Sequence, residues 1–407
     1  MGGMVVDAAD RGTVPSPAPP AISLPALFLR FLRFGCLAFG GPVAQIAMIR
    51  QALVEDDPWI SGTRFNRLLA ILQILPGPEA HELCVHLGMV ARGRWGGLLA
   101  GLGFMLPGFV LMLGAAWLYD AWLLGRTGAS GLLLGVQIVV VAIIVRAVQR
   151  IGTHVLEDRL LWLIAGLATV GTLLGVPFWI PLIAGGLAYA VAARRWAAAA
   201  VAVLAVLLAL ALHNGTVAPV GAVPALPVVQ AGIAALFVAG LKGGLLTFGG
   251  AYTAIPYVRA DTVGRGWLAD GTFLDGVALA GVLPAPLVIF GTFVGYVAGG
   301  FGGALALTAG MFLPAFAFSM ILFERLEAVV ENPATHRLLA GVAAAVVGVI
   351  AATSVQLGWA TAARAPALWP VGTIFALALA AAWFGKGRWL IPALIAFGAA
   401  AGWLLFP

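Results

Sequence analysis

Thirteen apolar runs, at 24–49, 65–90, 95–119, 130–150, 160–176, 178–193, 197–213, 228–256, 272–298, 300–323, 337–357, 367–384 and 389–406, take up nearly the whole chain. Connections between them are short. A backbone wrapped in so much apolar surface has no water to satisfy it, so it must pair its N–H and C=O groups internally, as helices or a closed barrel. The runs have helix length, whereas barrel strands would be about 10 residues of alternating character. Charged residues make up 9% of the chain and hydrophobic ones 62%, against about 25% charged in soluble domains. The expectation is an all-α polytopic membrane protein.

The net charge of +6 does not indicate a nucleic-acid partner, because the basic residues sit singly and in pairs at the ends of apolar runs. They report topology instead. The clusters Arg92 and Arg94, Arg146 and Arg150, Arg194 and Arg195, and Lys386 and Arg388 are separated by even numbers of runs. All four fall on one side, the cytoplasm by the positive-inside rule, with the N-terminus on that side too. Residues 1–22 are rich in Pro, Ala and Gly and read as a disordered tail without a signal-peptide core. Cys36 and Cys84 both lie inside apolar runs and suggest no disulfide scaffold.

The chain also repeats itself. Phe39-Gly40-Gly41 recurs as Phe248-Gly249-Gly250, and Arg33 recurs as Lys242, each 209 residues on. Pro76-Gly77-Pro78 recurs as Pro284-Ala285-Pro286 at 208, and Leu106-Pro107 as Leu313-Pro314 at 207. The matching runs at 24–49 and 228–256 are an odd number of crossings apart. The expected plan is therefore two inverted-topology repeats with broken or re-entrant helices and substrate near the midplane. The first repeat covers 23–196, a connecting segment 197–227, and the second repeat 228–407.

Each motif has a structural and a functional reading. In Phe39-Gly40-Gly41-Pro42 the glycine backbone can approach a ligand, and a helix restarting after Pro42 would aim free N–H groups at one point, a setting that suits an oxyanion. A kink or a close helix crossing is the alternative. Arg33 and Lys242 precede the motif by six residues, about 9 Å along a helix. Arg33 is close enough to the start of its run to snorkel to the interface, whereas Lys242 is deeper, where a charge costs about 2.5–3.5 kcal/mol and calls for a partner or a cavity. The two Pro-x-Pro turns cannot continue a helix. After the first come Glu79, His81, Glu82 and His86. Five positions from His81 to His86 turn a helix by about 140°, which rules out the zinc-protease pattern. Glu79 and Glu82 share a face and either neutralise an arginine such as Arg33 or carry protons. Asp275 is expected to cap its helix or to pair with Arg259 or Arg265. Tyr252 and Tyr296 offer hydroxyls to an oxyanion or to the interface. No nucleotide, metal or cofactor motif is present in the sequence.

Taken together, "FLRFGCLAFGGPVAQIAMIR", "QILPGPEAHELCVHLG", "GLLAGLGFMLPG", "GLLTFGGAYTAIPYV", "FLDGVALAG" and "FLPAFAF" resemble the chromate ion transporter family in its long, two-domain form. The resemblance spans about residues 27–323. It implies a bacterial inner-membrane secondary transporter that exports chromate, with sulfate as a look-alike oxyanion and no cofactor or enzymatic activity. The substrate site it implies gathers Arg33, Phe39, Gly40, Gly41, Pro42, Gln73, Pro76, Gly77, Pro78, Lys242, Phe248, Gly249, Gly250, Tyr252, Pro284 and Pro286. Gln45, Gly281 and Ala285 depart from the family pattern, which has His, Gln and Gly there. A homodimer is among the assemblies open to such a chain. Rival readings are a transporter for another anion such as sulfate, a channel, and an intramembrane enzyme built on Glu79, His81 and Glu82.

Overall fold

The computed structural model describes residues 19–39, 41–72, 75–123, 130–212, 231–248, 251–321, 333–385, 387 and 389–406. Most of the expected tail, Lys386 and Arg388 lie outside them. The described residues form helices and no strands.

Helix α1 (Leu24–Cys36) is opened by Ser23, whose side chain accepts from the Ala26 N–H, with Pro25 in its first turn. It ends at the motif, and α2 (Gly41–Arg50) restarts there and runs on through a π-helical turn, Gln51–Asp56. The sequence leaves the run at 24–49 as either a broken span or a re-entrant segment. The chain returns alongside itself: Arg30 Nη1 meets Asp57 Oδ2 at 2.7 Å, and the Phe31 and Trp59 rings lie 6.3 Å apart. At 13 residues α1 is about 20 Å long, too short to cross a bilayer core of about 30 Å. The second half does the same. Helix α9 (Ile233–Leu245) leads through a 3-10 turn, Ala251–Ala254, into α10 (Ile255–Thr262), and Lys242 Nζ meets Asp261 Oδ2 at 3.1 Å.

A second hairpin follows in each half. Helix α3 (Gly62–Leu72) precedes the Pro-Gly-Pro turn and α4 (Glu79–Leu118), and Phe65, Leu68, Leu72, Leu83 and Leu87 share one core. Helix α11 (Asp270–Val282) precedes Pro-Ala-Pro, a 3-10 turn at Leu287–Ile289, and α12 (Phe290–Ile321). There the Phe273 and Phe290 rings lie 5.6 Å apart.

Neither α4 nor α12 is a straight rod. In α4 the backbone leaves the helix at Arg92 (φ −145°, ψ 29°) and Gly93 (φ 60°, ψ −154°); in α12 it does so at Gly299 (φ −154°, ψ 24°) and Gly300 (φ 63°, ψ −156°). The positive φ explains a glycine at the second position of both turns. The arms fold back. A methyl on Gly88 would overlap the Gly96 carbonyl, although eight residues span about 12 Å in a straight helix. Likewise Thr292 Oγ1 and Thr308 Oγ1 are 2.7 Å apart. The arms are therefore 79–91 and 94–118 in α4, and 290–298 and 301–321 in α12.

The remaining helices of the first half are α5 (Ser130–Val155), α6 (Arg159–Leu173) and α7 (Trp179–Ala190), followed by α8 (Arg195–Leu212). Their counterparts are α13 (Pro333–Ala362), α14 (Leu368–Phe384) and α15 (Leu390–Leu405). These sets exchange partners: α5 packs on α14 and α15, and α13 packs on α6 and α7. Small residues allow the approach. Gly131 and Gly135 lie against Gly398 and Gly402, Gly185 lies against Gly341, and Thr169 Oγ1 donates to the Gly348 carbonyl at 3.1 Å. Close backbone packing of this kind is what holds helices together in lipid, where burying apolar area adds little. Four helical stretches, Glu79–Ala121, Ser130–Val155, Leu287–Ile321 and His336–Ala362, are long and apolar enough to cross a membrane, and the first and third contain the bends just described.

Candidate functional site

Four hairpin tips result, and they meet in two pairs, each joining one half to the other. The Gly77 N–H in the Pro-Gly-Pro tip donates to the Thr247 carbonyl in the second FGG tip at 2.8 Å. At the other pair, Gln45 Nε2 donates to the Ala38 carbonyl of the first FGG tip and to the Ala285 carbonyl of Pro-Ala-Pro, both at 2.9 Å. Both acceptors are carbonyls, so the amide orientation is fixed by chemistry. Helical segments begin beside these tips, at Gly41, Glu79, Ala251 and Leu287. Each start has backbone N–H groups without intrahelical partners and the positive end of a helix dipole, a setting that favours an anion.

The residues expected to bind substrate are distributed unequally around this junction. Gly40, Gln73, Gly249 and Gly250 lie outside the described residues. Pro76, Gly77, Pro78, Pro284 and Pro286 are all buried at the tips. Phe39 is half-buried, with its ring 6.0 Å from that of Trp389 on the other half; Gly41 and Pro42 are half-buried beside it. Phe248 is buried, and its N–H donates to Thr253 Oγ1 at 3.0 Å. Tyr252 lines a pocket with Gly281, Leu287, Ile391 and Ile395.

The two basic positions differ in partnership. Arg33 is exposed in the last turn of α1, and no acid reaches it among the described residues. Lys242 is held by Asp261, which also accepts from Arg265 Nη2 at 3.2 Å. Of the acids, Glu79 is buried, and Glu82 is fully buried with both oxygens lacking a hydrogen-bond partner among the described residues. Gly77 lies against Glu82, since a methyl there would overlap Glu82 Oε1. His81 is sandwiched edge-on between Phe312 and Phe316, at 4.9 and 4.7 Å. Among the described residues there is no His, Cys, Asp and Glu cluster able to hold a metal ion.

Asp275 corrects an expectation. It pairs with neither Arg259 nor Arg265, because Arg259 is engaged by Asp270 at 2.6 Å and Arg265 by Asp261. Instead Tyr119 Oη and Gln137 Nε2 each donate to its carboxylate at 2.7 Å, and Arg364 Nη2 donates to Gln137 Oε1 at 2.7 Å. This network, buried at Tyr119, Gln137 and Asp275 and exposed at Arg364, joins Tyr119 and Gln137 of the first half to Asp275 and Arg364 of the second. Sequence reasoning missed it, and also missed Gln45 as the tie between tips. The only signal at position 45 was its departure from a pattern.

The chain matches the chromate transporter family twice, over residues 25–190 and 234–403. It belongs to that family. It is 56% identical over 391 residues to a chromate transport protein of Pseudomonas aeruginosa, covering 96% of this chain and 94% of the relative. It is 31% identical to a chromate transport protein of Cupriavidus metallidurans, over 83% of each chain. A probable chromate transport protein of Synechococcus elongatus is 30% identical, over 83% of this chain and 86% of its own length. No solved structure matches. Family membership and the long apolar helices make this member of the chromate transporter family a multi-pass membrane protein and a transport protein rather than an enzyme. The two matched regions are the two halves whose hairpins meet at the tips.

Proposed function

We propose that the chain is a secondary transporter exporting chromate across the bacterial inner membrane, with the anion held where the four hairpin tips converge. The observation that carries the reading is the pairing of each FGG tip with the Pro-x-Pro tip of the opposite half. A site assembled from both halves is remade whenever one half rocks against the other, as alternating access requires. Arg33, Lys242 and the N–H groups of the helix starts would take over the oxyanion's hydration, together with the unshielded glycines Gly40, Gly41, Gly249 and Gly250.

The order of contacts supports opposite insertion of the halves. A methyl on Gly108 would overlap Ala285, and eleven residues later the Tyr119 ring is 5.0 Å from Phe293. Arm 94–118 therefore runs alongside arm 290–298 in the same sense, and antiparallel to arm 301–321, its own counterpart. With the four hairpins re-entrant, nine helical segments remain, and whether the short α6 and α7 cross or form a further re-entrant pair, Arg92, Arg94, Arg146, Arg150 and Arg194 share one side. Positive-inside makes that side the cytoplasm, with the N-terminus there. A divalent anion leaving a cell that is negative inside gains about 4.6 kcal/mol per 100 mV, twice the single-charge figure, so export needs no ATP. Glu79 and Glu82 would carry a coupled proton.

The test is chromate uptake by everted vesicles, with sulfate and phosphate as competitors and pH gradients imposed in turn. Uptake that saturates and that sulfate alone competes with weakly supports the reading. Uptake of sulfate in preference to chromate moves the assignment to a sulfate carrier. Vesicles that take up neither overturn it.

A further inference from the structure

The Pro-Ala-Pro tip carries a methyl that the Pro-Gly-Pro tip lacks, and the helix opposite each tip answers with the reverse. Gly77 faces Ala315: a methyl at 77 would lie 3.4 Å from the Ala315 Cβ. Ala285, the counterpart of Gly77, faces Gly108, the counterpart of Ala315. A methyl on Gly108 would overlap the Ala285 Cβ and come within 3.3 Å of its Cα and 3.4 Å of the Pro284 carbonyl. Each pair therefore holds one methyl, contributed by the crossing arm at the Pro-Gly-Pro junction and by the tip at the Pro-Ala-Pro junction, in both cases from the second half. All four residues are buried; at the Gly108–Ala285 junction no space remains for a second methyl, whereas a methyl on Gly77 would make only van der Waals contact with Ala315 and is blocked by Glu82 instead.

The contact does not stop at Ala285. Its carbonyl accepts from Gln45 Nε2, and the same nitrogen donates to the Ala38 carbonyl in the first FGG tip, each at 2.9 Å. A shift of Ala285 by a fraction of an ångström is passed through Gln45 to the backbone beside Phe39. We propose that Gly108 is a positioning residue for transport: by leaving room for Ala285 it sets the Pro-Ala-Pro tip, and through Gln45 the first FGG tip, at the anion site. This rests on the transport reading above and deepens it.

The experiment is a double-mutant cycle read as chromate uptake kinetics in everted vesicles, with membrane protein amount measured in parallel. G108A is expected to raise KM for chromate about tenfold or more, the effect of losing roughly 1.4 kcal/mol of binding. Adding A285G, which removes the opposing methyl, is expected to return KM to within about twofold of wild type, whereas adding A315G to G108A is not. A KM for G108A within twofold of wild type overturns the proposal, as does a double variant G108A/A285G no better than G108A. Should G108A fail to accumulate, recovery of both protein and KM on adding A285G supports the pair, and absence of recovery overturns it. Wild-type vesicles that take up chromate separate a failure of this inference from a failure of the transport reading.

Discussion

The Gly77 N–H donates to the Thr247 carbonyl across the centre of the molecule, at 2.8 Å, joining a tip of the first half to a tip of the second. Gly77 has φ +149°, and a methyl added to it would overlap Glu82 Oε1. Any side chain here meets both a backbone conformation that L-residues avoid, costing about 1–3 kcal/mol, and the carboxyl group. Gly77→Ala is expected to reduce chromate uptake about tenfold or more, with protein still present in the membrane. Uptake equal to wild type would mean that the tip-to-tip contact does not matter for transport.

The unequal partnership of the two basic residues gives a second prediction. Arg33 has no acidic partner among the described residues, whereas Lys242 shares Asp261 with Arg265. Arg33→Ala should therefore remove charge available to the anion and nearly abolish uptake. Lys242→Ala leaves Asp261 still held by Arg265 and should cost stability as well as uptake. The check is uptake and detergent melting measured on both variants. Equal melting of the two, with Lys242→Ala alone losing uptake, would assign the anion contact to Lys242 instead.

The Gly-Gly-Pro and Pro-x-Pro punctuation, the repeat and the bends at Arg92 and Gly299 were legible because Gly and Pro act locally on the backbone. Whether the chain continued or doubled back between α1 and α2 was not. A 26-residue apolar run such as 24–49 can be one span or two half-length helices, and hydropathy is the same for both. Only pairs far apart in sequence, such as Arg30 with Asp57, decide between them. The same holds for the site. Pro42 and Pro76 announce themselves as breakers, but Gln45 and Gly108 matter through contacts with Ala285, about 240 and 177 residues away, which no local pattern encodes. The polar asymmetry between Glu79 and its counterpart Leu287 was readable, because it needs only the alignment of the two halves.

The Asp275 network ties four elements together, and Tyr119 is its most conservative point of attack. Tyr119→Phe keeps the ring against Phe293 and removes one hydrogen bond to a buried carboxylate. Hydrogen bonds to charged groups contribute about 1.5–3 kcal/mol, so the variant should lose about that much unfolding free energy in detergent, read as a lower denaturant midpoint. Asp275→Ala, which removes both hydrogen bonds to the carboxylate and leaves Gln137 Nε2 only the Gly271 carbonyl, should cost more. A Tyr119→Phe protein as stable as wild type would mean that Asp275 is satisfied without it.

The first FGG hairpin is pinned at its open end by Arg30 and Asp57, and this contact has a pH signature. The hydrogen bond from Arg30 is the largest influence on Asp57 and, with a second from Trp59, holds its carboxyl below the ordinary carboxylate range; partial burial opposes them. Because the folded value is the lower one, the pair stabilises the fold above the unfolded pKa of about 3.9 and ceases to do so as pH falls through the folded value. The Asp57 side chain is 47% exposed, so solvent screening keeps the contribution to about 0.2–1 kcal/mol. Asp57→Asn should thus melt slightly earlier than wild type at pH 7, and the two melting curves should converge as the buffer is taken below pH 4. High salt should shrink the difference at pH 7 in the same way, since the pair is open to solvent. A gap between the two proteins that persists unchanged into acid would show that Asp57 acts through packing rather than charge.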